Sequence, residues 1–396
     1  MHSLPLERNY LIRLLSDIIE DVPPQSPPEG LDWKELYRLA AQHSISNMVF
    51  YGIDQLKDDQ KPPQEVIHRF HSDYKKALAK EATQQIAIEQ LLKTFEENSI
   101  ACIPLKGYLH KHLYPRPDMR LMADIDILFK NEQTEQVKNL MLALGFTVQR
   151  QGGNHDIYYK KPFLNIEMHR RLISVESPYY DYLNKTWYRA KLKDCCKFTY
   201  ELSLEDSYIY LLIHLTKHYA GGGTGIRSFL DIWLYNRSYA EEMDWNYIWA
   251  ELEKTDLSEF AGKVLGLCEV WFGTAPSNEL YDEMAQYIFS SGVYGTKKNS
   301  IIAAMNKKGG HKYPLGRTKH LYRLKLFFPP LSTMKIPYPF VEKRPILLPI
   351  CWALRGFRCL IFKRSHTMQM LDNIQSVSEE DLAAIRSLQE KSGLFK

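Results

Sequence analysis

Residues 6 to 20 read LERNYLIRLLSDIIE, and Leu11, Leu14, Leu15 and Ile18 fall at i, i+3, i+4 and i+7, the spacing of one buried helix face. DWKELYRLAAQHSISNMVFYGID predicts one or two further helices. After Lys61-Pro62-Pro63, a run rich in Ala, Glu, Gln and Lys with almost no breaker predicts a long helix to about Glu97. Residues 1–97 are therefore expected to form a helical N-terminal region, without a cluster of catalytic residue types.

The period changes at Ile100. SIACIPLKGYL predicts a short strand, a glycine-containing turn and a helix from near Leu109. LMADIDILF predicts a second strand, and NEQTEQVKNLMLALGF a helix that stops at Gly145. HDIYYKK, Pro162 and FLNIEMHR predict two strands joined by a tight turn. Strands and helices mix over residues 98–200, the pattern of a compact mixed α/β, or α+β, core. From Asp206 the helical period returns in DSYIYLLIHLTKHYA, IRSFLDIWLYN and WNYIWAELEKT, so 201–396 is expected to be a mainly helical C-terminal region.

Composition narrows the class. With 45% apolar and 25% charged residues, the chain has the makings of a folded globular protein rather than a disordered one. Six cysteines without CxxC spacing, and a first segment MHSLPLERNY with no basic-then-apolar signal, predict a cytoplasmic protein with neither disulfides nor structural zinc. ILLPICWAL, 346 to 354, is too short for a membrane span and contains proline, so none is expected. The net charge of +4 is uneven: Gly309 to Ser365 holds 12 Lys or Arg against the single acid Glu342. That block is suited to phosphates, nucleic acid or an acidic membrane surface, or it forms a solvated rim.

Two carboxylates stand out inside the apolar run RLMADIDILF. In a strand, residues two apart point the same way, so Asp124 and Asp126 share one face while Ile125 and Ile127 anchor the other. FLNIEMH repeats the device, with Asn165, Glu167 and His169 on one face and Ile166 and Met168 on the other. If these strands are neighbours, Glu167 completes a cluster of three carboxylates, an oxygen-rich site suited to Mg²⁺ or Mn²⁺ beside phosphate oxygens. Taken alone, a DxD pair is equally a solvent-facing pair at a strand end.

PLKGYLHKHLYPRPDMRLMADIDILF, the helix ending in LGF, and NIEMHR together resemble the uncharacterised bacterial nucleotidyltransferase family of the polymerase-beta-like superfamily. HLTKHYAGGGTGIRSFLDIWLY, YPLGRTKHLYRLKLFFPP and LLPICWALRG extend the likeness, which touches residues 40 to 365. The resemblance implies a nucleotidyltransferase core with a mixed sheet, flanked by helical regions on both sides. It matches Gly107 to the superfamily's glycine turn, Asp124 and Asp126 to its first two acids, and Glu167 to its third. The sequence departs at one point: Gly107-Tyr108, preceded by Lys106, stands where Gly-Ser is common.

The implied reaction is transfer of a nucleoside monophosphate from a nucleoside triphosphate, with ATP the expected donor, to a hydroxyl or phosphate acceptor with release of pyrophosphate. Asp124, Asp126 and Glu167 would hold Mg²⁺ or Mn²⁺. Lys106, the Gly107 turn and Arg120 would bind the nucleotide's phosphates, Arg120 being favoured over Arg116 because it adjoins the acidic strand. Glu167 or His169 would be the base if one is needed. The likeness also implies that His218, Arg227 and Asp231 border the cleft, whereas their helical spacing alone predicts an Arg227–Asp231 salt bridge. HLTKH lacks the HExxH glutamate and a third ligand, so zinc is not expected there, and GGGTG at 221 to 225 lacks the order of a phosphate loop.

A small-molecule, peptide or protein acceptor is expected ahead of nucleic acid, because no groove-reading element is recognisable. Two rival readings remain at this level. A glycosyltransferase also uses DxD, but normally after a larger nucleotide-binding α/β region. A noncatalytic nucleotide-binding or protein-interaction relative draws support from Gly107-Tyr108.

Overall fold

The computed structural model describes residues 5–293, 295–307, 313–335, 337–362 and 364–394. Residues 1–4 of the first segment, and 309–312, 336 and 363 of the basic block, lie outside the described residues. The chain divides into two compact units, one of residues 1–215 and 225–293, the other of 216–224 and 294–396.

The first unit opens with helices α1 (Leu6–Ile19), α2 (Trp33–Gln42), α3 (Ser46–Gln55) and α4 (Gln64–Glu97). In α1 the four residues of the apolar stripe are buried, as their spacing predicts. Asp32 starts α2 by accepting hydrogen bonds from the amides of Lys34 and Glu35, groups that no helical carbonyl can reach. Then follow β1 (Cys102–Pro104), α5 (Lys106–His110), β2 (Ile125–Phe129), α6 (Thr134–Ala143), β3 (Thr147–Arg150), β4 (His155–Lys160) and β5 (Leu164–His169).

These five strands form one sheet in the order β1-β2-β5-β4-β3. Only β2 and β5 run parallel, and the other pairs are antiparallel. The mixed sheet flanked by helical regions is the expected class of fold. β3 is an addition: TVQR lies at the sheet's edge, largely exposed, so its sequence carries no apolar alternation. Gly145 ends the helical turn after α6 at φ +81°, a conformation that costs glycine least.

One face of the sheet is apolar. Ile125, Ile127 and Phe129 of β2 and Ile166 and Met168 of β5 pack with Ile88, Leu91 and Phe95 of α4 and with Val137 and Met141 of α6. Each fully buried aliphatic side chain contributes about 1.5–3 kcal/mol. That anchorage fixes which way the intervening residues point, and so aims Asp126 and Glu167 to the opposite face.

Two short helices, α7 (Tyr180–Leu183) and α8 (Thr186–Arg189), and a ribbon of β6 (Lys191–Leu192) and β7 (Tyr200–Glu201) follow. Helix α9 (Leu204–Gly221) contains the boundary between the units. The first unit is completed by α10 (Ile226–Tyr239), α11 (Trp245–Lys254), α12 (Ser258–Phe272) and α13 (Glu279–Ser291).

The second unit holds α14 (Lys297–Lys307), α15 (Leu315–Phe327), α16 (Leu331–Met334), α17 (Phe340–Lys343), α18 (Leu348–Phe362), α19 (Arg364–Ser376) and α20 (Glu379–Lys391). Ile301, Ile302, Met305, Ile374 and Val377 form one apolar cluster there, and Met334, Val341 and Cys351 a second. Glycines 221–223 belong to this unit, and a Cβ on Gly222 would stand 2.3 Å from Ser300 Oγ. Close packing, rather than phosphate binding, accounts for a glycine at that position. Among the described residues, no single helix is long and apolar enough to cross a membrane.

Candidate metal centre

Asp124 immediately precedes β2, Asp126 lies within it, and Glu167 sits directly opposite Asp126 on the parallel neighbour β5. The three residues offer carboxylate oxygens that all lie within 4.8 Å of one another. Asp126 is only 6% exposed, so its charge requires partners close at hand. His169 Nε2 is 2.7 Å from its Oδ1, and Lys106 Nζ is 3.3 Å from its Oδ2. Lys106 in turn lies 2.5 Å from His214 Nε2 on α9.

Sequence reasoning missed His155. Its Nε2 is 3.4 Å from Glu167 Oε2, and His169 Nε2 is 3.5 Å from the same oxygen. His155, Glu167 and His169 thus make a second group able to hold a cation, sharing Glu167 with the first. The signal was present in the alternation of β4, but reading it required the register that pairs His155 with His169. His214 was noticed only as half of a histidine pair, and its contact with Lys106 spans 108 residues of sequence.

The acids are electrostatically unequal. Burial and the neighbouring Asp126 charge raise the Asp124 pKa to about 6. For Asp126, burial pushes the same way, but the Lys106 charge and the His169 hydrogen bond outweigh it and hold the carboxyl well below the usual range. Glu167 is lowered by its hydrogen bond to His169, against burial, with help from His155. Burial disfavours the His169 cation, yet its bonds to Asp126 and Glu167 lift it to about 9. With no cation bound, His169 therefore carries its proton at neutral pH and donates to the acids. Tyr210 of α9 is pushed far up by burial and then by the three acids, so its hydroxyl stays protonated.

Arg120 occupies a neighbouring constellation. Its Nε and Nη2 each lie 2.7 Å from an oxygen of Asp231, and Tyr114 donates to the same carboxylate at 2.8 Å. Its Nη1 donates to the Gly107 carbonyl at 3.3 Å. The expected Arg227–Asp231 salt bridge is replaced by this pairing. Asp231 is buried facing Arg120, and Arg227 turns away to donate to the Leu121 carbonyl at 2.6 Å. A Cβ on Gly107 would come within 3.2 Å of Arg120 Nη1 and Met122 Sδ, so a side chain there would press on both. Tyr108, in place of the common serine, packs against the apolar core with Lys111 Nζ 5.5 Å from its ring centroid. His218 belongs to the second unit.

The donor set fits a hard divalent cation: three carboxylates converge, with Lys106 and His169 against Asp126 and the two histidines His155 and His169 against Glu167. Residues 29–273 match the family described as uncharacterised nucleotidyltransferase. No curated protein matches the sequence. The antibiotic-resistance factor ANT(2'')-Ia, known from a solution structure, is similar over 47% of this chain and 96% of its own, at 13% identity and a TM-score of 0.32.

Proposed function

The chain belongs to the uncharacterised nucleotidyltransferase family, and on that premise we propose a metal-dependent enzyme that moves a nucleoside monophosphate from a nucleoside triphosphate, ATP in the first instance, to a hydroxyl or phosphate acceptor. The observation that carries this reading is the convergence of Asp124, Asp126 and Glu167 on one face of adjacent parallel strands. Mg²⁺ or Mn²⁺, when bound, supplies charge neutralisation at the triphosphate and a lowered pKa for the acceptor hydroxyl.

The residues divide the remaining work. Asp124, Asp126 and Glu167 would hold the cation. Lys106 and the backbone at Gly107 would receive the phosphates. Arg120 fixes the Gly107 carbonyl, so it positions the turn rather than touching phosphate. His169 keeps Asp126 and Glu167 oriented. The acceptor is a small molecule, peptide or protein in this reading.

Asp126 already has Lys106 and His169 as partners, and that favours a second reading in which the cluster binds nucleotide without turnover. One assay separates the two. Purified protein is incubated with labelled nucleoside triphosphates, Mg²⁺ and cellular small-molecule, RNA and protein fractions, beside Asp124→Ala/Asp126→Ala. Metal-dependent label transfer that falls at least about a hundredfold in the variant supports the enzyme. Nucleotide binding without transfer supports the second reading, and transfer unchanged in the variant removes the site assignment.

A further inference from the structure

The second unit carries a surface that nucleotidyl transfer leaves unused. On α18, Ile350, Leu354, Phe357 and Ile361 are 56%, 48%, 64% and 53% exposed. Their spacing of four, three and four residues confines them to an arc of about 60°. The other side of the helix is occupied: Cys351 is buried in an apolar cluster, and Trp352 donates to the Pro329 carbonyl at 2.8 Å while its ring meets Phe328. Arg355, reaching the Leu326 carbonyl at 2.7 Å, ties α18 to the end of α15. That helix exposes Leu321, Leu324 and Phe327, followed by Phe328. Arg317 and Lys325 on α15, Arg358 on α18, and Lys343 and Arg344 just before it are exposed as well.

We propose that α18 and the end of α15 form a peripheral docking surface for an anionic lipid bilayer. A helix with one apolar stripe edged by arginine and lysine lies in the headgroup plane, its stripe in the acyl boundary and its cations on lipid phosphates. The charge of the segment, 12 basic residues against one acid from Gly309 to Ser365, is complementary to such a surface. It also disfavours a second copy of this chain, which would bring the same positive block against itself. Nucleic acid would satisfy the cations but leave Ile350, Phe357 and Ile361 in water.

The test is co-sedimentation of the full chain with vesicles of phosphatidylcholine alone, or of equal parts phosphatidylglycerol and phosphatidylcholine. Binding is expected only to the mixed vesicles and is expected to weaken with added salt. Phe357→Glu/Ile361→Glu should lower it by about tenfold or more, because two charges would enter the acyl boundary. Ile86→Glu/Leu142→Glu, at exposed apolar positions of the first unit, should leave it unchanged. Circular dichroism verifies that each variant is folded, and Arg358→Ala/Arg344→Ala supplies a second loss of binding that spares the stripe. Failure to bind the mixed vesicles, equal loss in both glutamate pairs, or retention of the chain by RNA unaffected by the α18 substitutions would overturn the proposal.

Discussion

Arg120 with Asp231, and Asp124, Asp126 and Glu167 with Lys106 and His169, are two charge constellations in one unit, and they differ in balance. In the first, a guanidinium meets a carboxylate through two 2.7 Å contacts and Tyr114 takes up a further hydrogen bond. In the second, Lys106 and His169 face Asp126, and His155 and His169 face Glu167, while Asp124 is left with a pKa raised to about 6 by burial and the Asp126 charge. Asp126 and His169 are as buried as Arg120 and Asp231, so depth alone does not separate structural from functional charge. The unmatched cluster is the one that a cation would complete.

Breaking the matched pair has the largest expected effect on stability. Arg120→Ala should cost about 3–5 kcal/mol in urea unfolding, because it leaves Asp231 buried without its cation. Arg120→Met/Asp231→Leu should recover most of that loss. If the double variant is as unstable as the single one, the pair does more than balance charge.

Supplying a cation to the unmatched cluster comes next. At a hundredfold excess over its dissociation constant, Mg²⁺ or Mn²⁺ should stabilise the folded chain by about 2.7 kcal/mol, read as a rise in melting temperature. Asp124→Asn/Asp126→Asn should not respond, while Arg120→Met/Asp231→Leu should.

Asp124 by itself gives a signed pH effect. Its folded pKa of about 6 exceeds the ordinary 3.8, so the folded state binds the extra proton between those values and stability falls as pH rises from about 4 to 6. Metal-free Asp124→Asn should therefore be more stable than the parent by about 1–3 kcal/mol at neutral pH, and the gain should vanish below pH ~4. Denaturant melts across that range measure it, and a destabilised variant at neutral pH would break the contrast between the two constellations.

The smallest effect is expected at His169, whose folded pKa of about 9 lies above the ordinary 6.5. Its contribution is fully present below pH ~6.5 and is lost as pH rises through about 9. His169→Gln should cost about 1–2 kcal/mol at pH ~6 and little at pH ~10.

Much of this arrangement was legible before the structure because two local periods carry it. The 3.6-residue period exposed the helices from α1 to α4, and the two-residue period placed Asp124, Asp126 and Glu167 on one face. What strand alternation could not give was adjacency: β2 and β5 are neighbours although α6, β3 and β4 intervene in sequence. The same limit hid His155, and it directed Asp231 to Arg227 four residues away instead of to Arg120, 111 residues distant. Local spacing rewards the nearest partner, whereas a buried carboxylate takes the cation that tertiary packing brings to it.

Whether Asp124, Asp126 and Glu167 form a divalent-cation site is measured by an Mn²⁺ titration followed by electron paramagnetic resonance. Saturable Mn²⁺ binding is expected for the parent chain, retained in Arg120→Met/Asp231→Leu and lost in Asp124→Asn/Asp126→Asn. Equal binding by the parent and by Asp124→Asn/Asp126→Asn would contradict it.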